Sequence, residues 1–125
     1  IHIANDLIAC GIKAHALTAD VATLTAIAND FNYAAIFSRQ LMTFGEPGDL
    51  LIVLSGSGKS PNICLALDTA KHRGMITWAI FGAYNKNTCA GLADSVTLAG
   101  ADMQDAEEQQ LVLGHEVLRY LRRAA

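Results

Sequence analysis

The feature that most restricts the fold is an unbroken run of apolar residues, LLIVL (residues 50–54), which ends in a loop of glycine and serine. GEPGD precedes the run and SGSGKSPN follows it. An apolar run bounded by turn residues is typical of a strand buried on both faces of a parallel sheet. The run therefore predicts a parallel sheet with a loop at the carboxyl end of the strand.

Helical and strand patterns alternate along the rest of the chain. We expect helices over residues 1–10, from near Phe31 to residue 44, from Pro61 to Gly74, and from about Met103 to Arg123. The inward positions predicted for the last helix are Leu111, Val112, Leu118 and Leu121. The predicted strands are AHALTA (14–19), LLIVL, TWAIFG (77–82) and SVTLAG (95–100). A short helical turn is expected after residue 20 and another at CAGLAD (89–94).

This alternation predicts a doubly wound α/β fold with a mainly parallel sheet flanked by helices. In such a fold, ligands bind outside the carboxyl ends of the strands, so the loops after Ala19, Leu54 and Phe81 are the predicted functional edge. The 125 residues, 52% of them hydrophobic, suffice for one domain over residues 1–125. The chain opens on Ile1, within a helical pattern and without an initiator Met, and we expect the N-terminal part of the domain to be absent.

Charge and cysteine content exclude several classes of protein. The net charge of −3 and the scattered basic residues give no footprint for nucleic acid or an anionic membrane. Cys10, Cys64 and Cys89 are odd in number and far apart, so we predict neither a disulfide framework nor a zinc-finger spacing. The expected location is a reducing compartment, the cytoplasm.

The GKS triplet at residues 58–60 raises the question of an ATPase loop. That motif has the form G-x-x-x-x-G-K-S and requires Gly at position 53, where this chain has Val53 inside the strand. Three serines, two glycines and a helix N-terminus instead suit a phosphate monoester, because hydroxyls, close amides and the helix dipole all favour an anion. An ordinary strand-to-helix turn with a capping serine is the structural alternative.

Two helices carry histidine and carboxylate residues at spacings that place them on one face. His2 and Asp6 are four apart on the first helix, and Glu107 and His115 are eight apart on the last, with Glu108 equally within reach. Two imidazoles and two carboxylates match the ligands that zinc prefers. Surface pairs of this kind are also common without a metal.

Two stretches resemble a known family. GDLLIVLSGSGKSPNICLAL (48–67) resembles the core motif of sugar isomerase (SIS) domains, Gly-Asp-x-Leu, a strand and Ser-Thr-Ser-Gly-Asn-Ser. ALTADVATLTAIANDFNYAAIFSRQ (16–40) looks like a segment of the phosphoheptose isomerases within that family. The likeness covers nearly the whole chain and implies a SIS/flavodoxin-like fold, whose upstream strand and Gly-Gly-Ser loop have no counterpart here.

The resemblance implies a role for particular residues. The sugar phosphate would be bound by Asn29, Asp30, Ser55, Gly56, Ser57, Lys59, Ser60 and Glu107. Gly56 replaces the family's Thr and removes a hydroxyl, and Lys59 replaces Asn and adds a cation. For Asn29 and Asp30, a turn that caps the helix starting near Phe31 is the structural alternative.

The likeness also implies a metal and acid-base site. Its metal ligands would be His2, Asp6, Glu107 and His115, with zinc as the metal and Asp6 and His115 as the catalytic pair. Asp6 replaces a family Glu, which shortens the side chain by roughly 1.5 Å, and a displacement of about 1 Å can lower a rate on the order of 100-fold. Glu107 replaces a family Gln and adds a negative charge.

Two functions follow as hypotheses. The first is aldose-ketose isomerisation of a sugar phosphate such as sedoheptulose 7-phosphate through an enediol, by a homo-oligomer, either a dimer or a tetramer. The second is a non-catalytic, phosphosugar-binding regulatory protein that acts through a protein partner, like a SIS protein that associates with the bacterial replication initiator. The Asp6 change keeps the second hypothesis open.

Overall fold

The fold is a three-stranded parallel sheet with helices packed on it, described for residues 1–124 by a computed structural model. The elements in chain order are α1 (His2–Ala9), α2 (Val21–Asp30), α3 (Ser38–Phe44), β1 (Leu50–Ser55), α4 (Pro61–His72), β2 (Ile76–Gly82), β3 (Ser95–Ala99) and α5 (Met103–Ala124). Two short 3₁₀ turns lie at Tyr33–Ala35 and Ala90–Leu92. The strand order is β1-β2-β3, which confirms the parallel α/β fold predicted from the sequence.

The core lies between the sheet and the helices α3 and α4. Alternate residues of the strands point to this side, among them Val53 and Phe81, which pack with Leu67 of α4. Phe81 and Leu67 are fully buried. Fully burying side chains of this size contributes roughly 1.5–3 kcal/mol each, so this layer holds β1 and β2 against α4.

The strand β1 is buried on one face only, contrary to the prediction. Leu51 and Val53 are buried, whereas Leu50 and Leu54 on the other face are 54% and 41% exposed. The reason is its position at the edge of the sheet, because α5 packs on β2 and β3 instead.

The predicted strand at residues 14–19 is wrong. This segment pairs with no strand in residues 1–124 and is held by a hydrogen bond from Gln40 Nε2 to the Leu17 carbonyl, at 3.0 Å. A strand requires a hydrogen-bonded neighbour, which the segment lacks here. The loop after Ala19 therefore does not lie at a strand end.

Three helix predictions need correction. The turn expected after residue 20 is the full helix α2, begun by Asp20, whose carboxylate accepts from Thr23 N at 3.2 Å. The helix expected from Phe31 starts only at Ser38, after the 3₁₀ turn. On α5, Leu111 and Val112 are exposed, because the helix buries Ala106 and Gly114 instead.

The cysteine prediction is also wrong, because Cys64 of α4 and Cys89 after β2 form a disulfide, with Cα atoms 5.1 Å apart. The fold brings together two residues that the sequence separates by 25 positions. No helix within residues 1–124 combines the length and apolar character needed to cross a membrane.

Candidate functional site

The loop after β1, residues 55–60, is here called the serine loop, and it leads directly into α4. Ser55 is the last residue of β1, and Ser60 is the N-cap of α4, with Pro61 as the first helical residue. Within residues 1–124 the Ser60 side chain makes no capping hydrogen bond. Its hydroxyl is therefore available to a ligand at a helix N-terminus, where the partial positive charge favours an anion.

Internal hydrogen bonds curl the serine loop. Ser55 Oγ accepts from Gly58 N at 3.1 Å, and Ser57 Oγ accepts from Lys59 N at 3.3 Å. Gly58 has a φ of 59°, a left-handed conformation that favours glycine, and a side chain there would collide with Asn87. The two serines thus shape the loop through their acceptor oxygens, and their hydroxyl hydrogens remain to be donated.

The segment after β2 supports the serine loop from one side. Gly82 N donates to the Gly56 carbonyl at 3.1 Å, and Cys89 N donates to the Gly58 carbonyl at 3.0 Å. Asn87 Nδ2 donates to the Gly82 carbonyl at 3.2 Å. These bonds fix the serine loop against the end of the central strand.

A second cluster is formed by side chains of the first and last helices. His2 Nε2 lies 2.9 Å from His115 Nε2 and 3.3 Å from Asp6 Oδ2, and His115 Nε2 lies 3.9 Å from the same oxygen. The His2 and Asp6 side chains meet because they are one helical turn apart on α1. Three of the four predicted metal ligands are thus brought together.

Gly114 permits the close packing that brings α1 to α5. A Cβ atom at Gly114 would lie 2.7 Å from Ile3 Cγ1, so any larger residue would push α1 away. His115 follows Gly114 directly, and His2 precedes Ile3. The two histidines are therefore the chain neighbours of the two residues in this close contact.

The distances between the three side chains and the burial of Asp6 suit a metal ion. Asp6 Oδ2 is buried and makes no hydrogen bond in residues 1–124, and its polar neighbours are the two histidine nitrogens. Atoms bound tetrahedrally to zinc at about 2.0–2.1 Å lie ~3.3 Å apart, close to the separations found here. His2, Asp6 and His115 could hold the ion with one position left open for a ligand, as in catalytic zinc sites.

Glu107 lies outside this three-residue group. It is exposed and lines a cavity of about 200 Å³ together with His2 and Leu54. Leu54 directly precedes Ser55, so the cavity links the histidine cluster with the start of the serine loop. The place of Glu107 as a fourth ligand or a substrate contact stays a prediction, and so does that of its exposed neighbour Glu108.

The remaining predicted substrate residues lie at the surface. Asn29 and Asp30 form the last turn of α2 and are joined by a hydrogen bond of 2.9 Å. They do not cap the next helical turn, because Asn32 does so, its Oδ1 accepting from Ala35 N at 3.0 Å. Lys59 is exposed. The substrate roles of Asn29, Asp30 and Lys59 stay predictions.

Sequence reasoning missed residues that shape the site without carrying its chemistry. Gly114, Asn87 and the pair Cys64–Cys89 act through packing and loop contacts, which no spacing along the chain reveals. The one usable signal was Gly114, an isolated glycine inside a helical pattern next to His115.

Most of the chain is similar to proteins of a known family. Residues 7–82 match the model of the SIS domain. Among curated proteins, the chain is 40% identical over 105 residues to a phosphoheptose isomerase of Paramagnetospirillum magneticum and 44% identical over 108 residues to one of Burkholderia pseudomallei. These alignments cover 83% and 86% of this chain and 54% of each relative, so the chain spans about half the length of the curated relatives it matches.

Solved structures show the same likeness. A phosphoheptose isomerase of Francisella tularensis has a TM-score of 0.85 at 26% identity, over 98% of this chain and 67% of that one. One from Neisseria gonorrhoeae has a TM-score of 0.86 at 31% identity, over 96% and 67% of the respective chains.

Proposed function

Because the chain belongs to the SIS domain family, we propose that it forms part of a phosphosugar isomerase that interconverts aldose and ketose sugar phosphates through an enediol. Sedoheptulose 7-phosphate is the substrate proposed, since the similar proteins are named phosphoheptose isomerases. The regulatory alternative has no observation in its favour.

The observation that carries the proposal is the cluster of His2, Asp6 and His115 beside the end of β1. Isomerisation needs a base next to the reacting carbons and an anchor for the phosphate at a distance from them. The cluster offers the first and the serine loop the second; Leu54, which lines a cavity with His2, directly precedes the serine loop. Binding energy at the phosphate can then position the reacting carbons.

The phosphate would be bound by the hydroxyls of Ser55, Ser57 and Ser60 at the N-terminus of α4. Ser55 and Ser57 already accept bonds from loop amides, so their protons can point outward to the phosphate oxygens. Lys59, on the same loop, adds the attraction of a cation, and Asn29 and Asp30 would contact the sugar.

Proton transfer is assigned to Asp6 and His115. The Asp6 carboxylate would take the proton from the carbon next to the substrate carbonyl and return it to the former carbonyl carbon. The proton on the substrate hydroxyl would pass to the former carbonyl oxygen, with His115 as its proposed carrier when the imidazole is not bound to a metal, so that every proton removed is replaced.

Zinc is the proposed metal, held by His2, Asp6 and His115, with Glu107 as the proposed fourth ligand until the substrate takes that position. When bound, it would polarise the substrate carbonyl and stabilise the enediolate charge. The buried Asp6 Oδ2, which makes no hydrogen bond in residues 1–124, and the two imidazole nitrogens facing it support this assignment.

We further propose a homodimer or homotetramer in the cytoplasm. Large apolar side chains that would be costly to leave in water are exposed on the two terminal helices, and association would cover them. They include Ile8, at 56%, and Tyr120, at 71%. The cytoplasmic location follows from the proposed sugar-phosphate substrate. The Cys64–Cys89 disulfide argues against it, because disulfides are rare in reducing compartments.

The test is turnover of sedoheptulose 7-phosphate by the full-length protein, with zinc added and with zinc removed by a chelator. We expect conversion that depends on zinc and is lost in Asp6→Asn, a variant that removes the base at nearly constant volume. No conversion under either condition would contradict the proposal.

A further inference from the structure

The hydroxyl of Tyr84 lies where a side chain at position 56 would be. A Cβ atom built on Gly56 would be 2.9 Å from Tyr84 Oη, and the next neighbour, Met103 Cγ, would be 3.9 Å away. The φ of Gly56 is not positive, so the backbone does not require glycine there. Gly56 leaves space in the serine loop, and a phenol hydroxyl from another loop occupies it.

Gly82 fixes the position of the Tyr84 ring. A Cβ atom at Gly82 would lie 2.9 Å from Tyr84 Cδ1 and closer still to Cε1, so the ring rests on the Gly82 backbone. Gly82 in turn donates its N–H to the Gly56 carbonyl. The ring is thus held at the rim of the serine loop, and Tyr84 remains 37% exposed.

The chemistry of the hydroxyl suits an anion. A phenol hydroxyl donates one hydrogen bond. Among the hydrogen bonds found within residues 1–124, none uses the Tyr84 hydroxyl, whereas its neighbours Asn85 and Asn87 donate to backbone carbonyls. A hydrogen bond from this group to a phosphate oxygen would be charge-assisted and stronger than one between neutral partners.

We propose that Tyr84 is a phosphate-binding residue, which supplies from the loop after β2 the hydroxyl that Gly56 lacks. SIS domains usually carry Thr at the position of Gly56, so the donor has moved from one loop to the other. The inference rests on the proposed function, because it assigns Tyr84 to the phosphate of the same substrate.

The experiment is calorimetric titration of the full-length protein with inorganic phosphate and, separately, with sedoheptulose 7-phosphate. The variants are Tyr84→Phe, which removes only the hydroxyl, and Tyr84→Phe combined with Gly56→Thr, which returns a hydroxyl to the serine loop. Tyr120→Phe is the matched control, because Tyr120 is 71% exposed on α5.

We expect Tyr84→Phe to lower the binding affinity for both ligands about tenfold, the usual loss for a hydrogen bond to a charged group. The added Gly56→Thr change should recover most of that loss, and Tyr120→Phe should change nothing. Wild-type affinity in Tyr84→Phe, or an equal loss in Tyr120→Phe, would overturn the assignment. If phosphate binding depends on Tyr84 but no isomerisation occurs, the proposed function fails while the role of Tyr84 stands; if the wild type binds neither ligand, both fail.

Discussion

His2 and His115 lie 113 residues apart in the chain, and their Nε2 atoms lie 2.9 Å apart in the fold. Each also faces the buried Oδ2 of Asp6. The first and last helices therefore build one cluster of side chains, and its formation depends on how closely they pack.

Zinc binding should depend on both histidines. We expect His2→Ala and His115→Ala each to weaken zinc binding by at least ~100-fold, since even groups that only orient the ligands of a metal contribute 10–100-fold. Titration with a competing chelator measures this. His72→Ala is the matched control, because His72 also lies near an aspartate four residues away, Asp68, but on the exposed surface of α4. Equal affinities in all three variants would contradict the metal site.

Gly114→Ala should separate α1 from α5. The added Cβ would meet Ile3, and overpacking of this kind costs roughly 1–3 kcal/mol. We expect a lower free energy of unfolding in urea together with weaker zinc binding, because His2 moves with Ile3. Gly91→Ala serves as the control, since a Cβ there meets nothing within 4 Å. Unchanged zinc affinity in Gly114→Ala would show that the close approach is not required.

The stability of the fold in acid should depend on Asp94. Hydrogen bonds from the backbone amide and the hydroxyl of Thr77 hold the pKa of Asp94 below its ordinary value of 3.8. The unfolded chain therefore takes up a proton first as the pH falls, so this contribution is complete above about pH 5 and is lost as the pH drops through 3.8 towards the folded-state pKa.

Thermal unfolding of the wild type and of Asp94→Asn between pH 2 and pH 6 checks this. The variant should be less stable at pH 6, and the difference in Tm should shrink as the pH falls. A difference in Tm that stays constant across this range would show that the Asp94 charge has no such role.

The disulfide between Cys64 and Cys89 should stabilise the fold. It closes a segment of 25 residues, for which the loss of chain entropy in the unfolded state predicts about 3.5 kcal/mol. The free energy of unfolding in urea should fall by this amount when the wild type is reduced, whereas Cys64→Ala should not respond to the reductant. Equal stability of oxidised and reduced wild type would contradict the prediction.

The sequence predicted the parts of the fold that depend on local pattern. LLIVL, TWAIFG and SVTLAG are strands because apolar and β-branched runs between turn residues favour one structure, and Ser60-Pro61 marks the start of α4 for equally local reasons. The strand predicted at 14–19 was wrong because a strand depends on a partner, which local pattern does not reveal.

The same limit applies to the site. The grouping of His2, Asp6 and His115 could be predicted because helical spacing and a family likeness both point to it, whereas their roles stay predictions. The contribution of Gly114, the position of Tyr84 over Gly56 and the disulfide could not, because each depends on the distance between elements that are remote in the chain.

Hydrogen exchange at the substrate carbon tests the central claim most directly. Sedoheptulose 7-phosphate would be incubated in D₂O with the zinc-loaded wild type, with Asp6→Asn and with Asp6→Glu, and deuterium bound to carbon would be followed by NMR. We expect the wild type to introduce deuterium next to the carbonyl, Asp6→Asn to introduce none, and Asp6→Glu, with the longer family side chain, to exchange faster, by up to on the order of 100-fold. Exchange by Asp6→Asn at the wild-type rate, or no exchange by any of the three proteins, would contradict the account.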